Sequence, residues 1–142
     1  MPTCENTGTI VVGVDGSECS LRALRWAVEQ AGCTGGTVEA VMAWHLPEIY
    51  GYTPRDYRAE TQKALDDAIE RALGAQPDVP VTSRVIAGRP AEALIDASHS
   101  AAMLVVGSHG HGAFTGMLLG SVSQHCVTHA HCPVVVFREE RD

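Results

Sequence analysis

The chain has 142 residues, of which 45% are hydrophobic and 19% charged, with a formal net charge of −7. This is enough apolar material for one domain whose core needs neither disulfides nor a metal, and it excludes a disordered chain. Lys63 is the only lysine, so no basic face exists to neutralise many phosphates, and no nucleic acid is expected as a partner.

The opening run MPTCENTGTIVVGV lacks a basic flank, and its apolar part is too short for a signal peptide or a membrane span. The five cysteines, at positions 4, 19, 33, 126 and 132, contain no C-x-x-C pair, which suits a reduced, cytoplasmic compartment better than a disulfide framework. Residues 9–138 read as one domain between tails at 1–8 and 139–142.

TIVVGV (9–14) is a short β-branched run of the kind buried on both faces. DGSECS supplies turn residues and N-cap candidates, Asp15 among them. From about Ser20 to Ala31, Leu21, Leu24, Val28 and Ala31 recur at helical spacing, and Gly32 is the expected stop. TVEAVMAW (37–44) is a second strand, and residues 45–56, with two prolines and a glycine, form a loop of functional length.

A second helix is expected from about Tyr57 to Leu73 on the stripe Leu65, Ala68, Ile69, Ala72 and Leu73, with Gly74 at its end. VTSRVIA (81–87) is a third strand. Pro90 opens a third helix, where its missing N–H costs nothing. AMLVVG (102–107) is a fourth strand, a last helix runs from about Val122 to His129, and CPVVVF (132–137) closes the fold as a strand. Strands alternating with helices argue for an α/β fold, a doubly wound five-stranded parallel sheet with right-handed crossovers. Ligands of such sheets bind beyond the carboxyl ends of the strands, where the winding reverses.

One such end carries VVGSHGHGAFTGMLLGSVS (105–123). Neither the G-x-x-x-x-G-K-[ST] cradle nor G-x-G-x-x-G fits it. The spacing present is Gly107-x2-Gly110-x9-Gly120-Ser121. Gly107 ends a strand, and Gly120-Ser121 precedes a helix, whose free N–H groups and positive dipole end favour an anion. Ser121 and Ser123 add hydroxyls. An acidic chain can hold a phosphate this way, with a metal ion offsetting the remaining charge.

This spacing resembles the nucleotide-binding motif of the universal stress protein family. The likeness extends to IVVGVDGS, VIAGRPAEALIDAS and CPVVVF, and so covers nearly the whole chain. The resemblance implies a Rossmann-like fold of the adenine nucleotide alpha hydrolase type. Carried over residue by residue, it places Gly13 and Val14 beside the nucleotide and Asp15 on the ribose hydroxyls. Ala43 would offer its backbone to adenine. Gly107, Ser108, His109, Gly110 and Gly112 would wall the phosphate loop, and Gly120, Ser121, Val122 and Ser123 would cradle the phosphates.

Family members that keep the full motif bind ATP, which implies ATP with Mg2+ as ligand and leaves cyclic AMP as the alternative. Family members often carry Arg after the first Gly-Ser. Here His109 stands there, so the loop lacks that permanent charge and phosphate affinity is expected to vary with pH. The resemblance also implies a homodimer through the C-terminal strand, whose apolar edge invites pairing.

The sequence also carries residues of two other chemistries. His125, Cys126, His129, His131 and Cys132 lie close together, but no second half of a zinc motif occurs elsewhere. Cys126 is expected to face the sheet, and Cys132 to begin a buried strand. Ser121 could be drawn with His109 or His111 as a nucleophile pair, yet no G-x-S-x-G elbow or orienting acid beyond Asp15 accompanies them. No catalytic residue is assigned. The expected role is a nucleotide-dependent stress-response or regulatory protein, with slow ATP hydrolysis or a nucleotide-free interaction protein as the other readings.

Overall fold

A computed structural model describes residues 8–44, 54–74, 78–108 and 120–138. The chain runs β1 (Thr9–Gly13), α1 (Glu18–Thr34), β2 (Thr37–Trp44), α2 (Pro54–Leu73), β3 (Val81–Ala87), α3 (Pro90–Ser98), β4 (Met103–Gly107), α4 (Ser121–His129) and β5 (Val134–Phe137). All strand pairings are parallel, in the order β3-β2-β1-β4-β5. This is the expected Rossmann-like, doubly wound α/β sheet. The reversal of winding falls between β1 and β4.

The β-branched runs are continuous because alternate residues meet different layers. Ile10, Val12 and Val14 of the first strand segment, with Val38, Ala40 and Val105, pack against Leu21, Leu24, Ala27 and Ala31 of α1 and Leu65 and Ala68 of α2. Val11, Val41, Leu104 and Val106 meet Leu94 and Ala97 of α3 and Cys126 of α4. Two apolar layers thus clamp the centre of the sheet, while edge strand β3 keeps Thr82, Ser83 and Arg84 exposed.

Where the boundaries depart from the sequence reading, local chemistry explains them. The first helix runs through Gly32 and stops at Gly35, which takes a left-handed φ of 77° and donates its N–H to the Ala31 carbonyl. Gly36 N–H bonds the same carbonyl at 3.0 Å. Gly32 is merely tolerated in the helix; the stop needs the residue that can reverse φ. The second helix starts at Pro54 rather than Tyr57, since proline at a helix start gives up no bonded N–H.

At the other end, β5 begins at Val134, and Cys132 before it is half-buried rather than part of a buried strand. Every residue of β5 is half-buried, as expected for an edge strand covered on its faces alone. Among the described residues, no helix is long and apolar enough to cross a membrane.

Leu24 lies at the centre of the larger layer with no exposed surface. Leu24→Ala is expected to lower stability by about 2–5 kcal/mol, read as a lower urea midpoint at unchanged slope.

Candidate functional site

At the reversal point the chain leaves β1 into α1 and leaves β4 toward α4, so both helix N-termini open on one crevice. The first of these turns is built from Asp15, Gly16 and Ser17. Gly16 takes φ 87°, a conformation that Cβ-bearing residues rarely adopt. The Asp15 carboxylate then accepts the Ser17 N–H at 2.9 Å. Ser17, not Asp15, caps α1: its hydroxyl accepts the Ser20 N–H at 3.2 Å. Asp15 is left exposed at the mouth of the crevice, its backbone N–H donating to Ser20 Oγ at 3.3 Å.

Val14 extends the β1 ladder by donating its N–H to the Val41 carbonyl at 2.9 Å, while its side chain is buried in the core. Alternation along β2 then points the N–H and C=O of Ala43 to the same side as those of Val41. That is the side β1 has vacated, and Ala43 is half-exposed there. A Cβ on Gly13 would come within 2.7 Å of Leu94 Cδ1, the tip of a flexible side chain that would have to shift.

The second turn is anchored more tightly. A Cβ on Gly107 would lie 2.9 Å from Cys19 Sγ and 3.4 Å from the Cys19 carbonyl carbon, so the absent side chain lets α1 sit directly on the end of β4. The Cys19 thiol donates to the Phe137 carbonyl at 3.1 Å, and the Ser108 N–H donates to the same oxygen at 2.8 Å. Ser108 is buried, with its hydroxyl 3.9 Å from Cys19 Sγ. Its carbonyl accepts the Gly120 N–H at 2.7 Å. The Ser123 hydroxyl donates to the Gly107 carbonyl.

Gly107, Ser108, Gly120 and Ser123 therefore form one hydrogen-bonded junction. Gly120 sits at the N-cap position, and among the described residues no side chain caps α4. The N–H groups of Ser121, Val122 and Ser123 lead into the helix, whose first interior bond is Gln124 N–H to Gly120 at 3.0 Å. Ser121 is exposed; Val122 packs its side chain on the smaller apolar layer. His109, Gly110 and Gly112 lie outside the described residues.

The sequence reading missed Cys19, since a cysteine in a helix's first turn reads as ordinary core. It also could not separate Ser17 from Asp15 as the cap. Burial pushes the thiol of Cys126, on α4, up to about 11, and it raises that of Cys132, beyond the helix, as well. Neither is an activated nucleophile. Among the described residues, no three His, Cys, Asp or Glu side chains come together to hold a metal.

A family profile described as the universal stress protein family matches residues 6–138. Universal stress protein Rv2005c of Mycobacterium tuberculosis (strain ATCC 25618 / H37Rv) is 43% identical over 133 residues, covering 92% of this chain and 45% of that protein. The chain spans about half the length of the curated relatives it matches. Among solved structures, universal stress protein UspA from Lactobacillus plantarum shares the fold with a TM-score of 0.75 at 20% identity, over 94% of this chain and 99% of that one. A universal stress protein in complex with cAMP has a TM-score of 0.67 at 27% identity, over 94% and 98% of the two chains.

Gly107→Ala is expected to cost about 1–3 kcal/mol by forcing α1 off β4. Adding Cys19→Ala removes the nearest atom and recovers part of that loss, so a urea double-mutant cycle should give a coupling above about 0.5 kcal/mol. Additive effects would show that the two sites do not touch.

For Cys126, the folded state holds the thiol proton more tightly than an unfolded chain. Its contribution to stability is complete below about pH 9 and is lost as pH rises to about 11. In urea titrations across that range, Cys126→Ala should lack this part of the slope.

Proposed function

The chain belongs to the universal stress protein family, and from that premise we propose that it binds an adenine nucleotide in the crevice between β1 and β4. The observation that carries the reading is the meeting there of an exposed Asp15 carboxylate and the exposed, uncapped start of α4, judged among the described residues. A carboxylate suits vicinal ribose hydroxyls, and a helix N-terminus suits phosphate. The separation of these two chemistries across one crevice fits a nucleotide better than a simple anion. The 27%-identical relative in complex with cAMP supports the adenine nucleotide class.

In this reading Asp15 holds the ribose, the backbone of Ala43 meets the adenine edge, and the amides of Ser121, Val122 and Ser123 hold phosphate. The G-x2-G-x9-G-S spacing favours ATP, with Mg2+ offsetting charge that this acidic chain does not neutralise. His109, Gly110 and Gly112 complete the phosphate loop. The protein acts through its bound state in the cytoplasm, as a regulatory or stress-response component. Two copies pair through β5, the half-buried strand at the end of the sheet order.

Isothermal titration of the nucleotide-free chain with ATP and with cyclic AMP, each with and without Mg2+, tests the ligand. ATP with Mg2+ should bind tightest, and Asp15→Ala should weaken it by about tenfold or more. Binding of neither nucleotide below about 1 mM overturns the reading. For the assembly, Val135→Pro should yield monomers by light scattering; an unchanged dimer would place the interface elsewhere.

A further inference from the structure

We propose that His125 and His129, on the exposed face of α4, form a two-imidazole site for a borderline divalent transition-metal ion such as Zn2+ or Ni2+. Residues four apart in a helix stack one above the other on the same face. Both side chains are exposed, and their ring centroids are 6.1 Å apart with planes at 36°. Metal–nitrogen bonds of about 2.0–2.1 Å set each ring centroid about 3.2 Å from the ion, so two rings on one ion lie about 4.5–6 Å apart. The observed 6.1 Å lies just beyond that range, so the two rings must move slightly closer to share one ion.

The orientation of His125 is the second observation. Its Nδ1 lies 3.1 Å from the Ser121 carbonyl oxygen. A carbonyl can only accept, so Nδ1 carries the proton and Nε2 keeps its lone pair for a ligand. A bond from one ring nitrogen to a backbone carbonyl is the support that metal-binding histidines commonly have.

Other nearby donors are engaged differently. Cys126 is fully buried, while His131 stacks on His99 with centroids 3.6 Å apart. Among the described residues no third protein ligand joins the pair, so water or a ligand from solution fills the remaining positions. Imidazole pairs favour Zn2+, Ni2+ or Cu2+ over the oxygen-seeking Mg2+ and Ca2+. The site lies on α4 and does not depend on the nucleotide reading.

The test is isothermal titration of Zn2+ and, separately, Ni2+ into the nucleotide-free full chain carrying Cys33→Ser, which removes an exposed thiol. One ion per chain should bind, and His125→Gln or His129→Gln should each weaken it by about tenfold or more. His99→Gln and His131→Gln should leave it unchanged, and excess Mg2+ should not compete. Parent-like binding in both α4 variants, loss of binding in the His99 or His131 variants, or no saturable binding below about 1 mM each overturns the proposal.

Discussion

The arrangement of the crevice depends on one close approach, that of α1 to the end of β4 at Gly107. Because Gly107 has no Cβ, Cys19 reaches the Phe137 carbonyl, and that oxygen also receives the Ser108 N–H. One carbonyl thus ties together the first helix, the strand that feeds the second turn, and the edge strand. Arg22 lies over the Phe137 ring at 5.2 Å, and Trp26 tilts against it at 6.4 Å, so α1 grips the same residue by its side chain. The two helix starts are held in register by this packing.

Much of the fold was legible because burial on both faces leaves a plain mark. Uninterrupted runs such as IVV and MLVV, spaced by amphipathic segments, allow little besides a covered parallel sheet. Boundaries were less legible wherever two residues could do one job. Gly32 and Gly35 look alike in sequence, and the difference lies in which one reverses φ. Asp15 and Ser17 are both good caps, and the choice between them is made by Gly16, whose turn hands the Asp15 carboxylate a backbone N–H first.

The candidate site was legible as a set of positions but not as a set of roles. The glycine spacing pointed to phosphate, yet Gly107 is explained by a neighbour inside the protein, Cys19. Ser123 looked like a free hydroxyl donor and instead fastens α4 to the Gly107 carbonyl. Tertiary contacts of this kind carry no local pattern, since the partners are far apart in sequence. Among the described candidates only Asp15 and Ser121 are exposed, while Ala43 and Gly120 are half-buried. Residues of one motif thus divide between packed and outward-facing positions, and only the three-dimensional contacts tell them apart.

The bond from Gly120 N–H to the Ser108 carbonyl, 2.7 Å long, has an implication for how such a chain diversifies. It fastens the two ends of segment 109–119 to each other, and the junction around it is fixed by Cys19, Ser123 and Phe137. Adding residues between two points that are already joined costs little closure entropy. Changes of sequence and length between these anchors can therefore accumulate while the sheet beneath keeps its geometry.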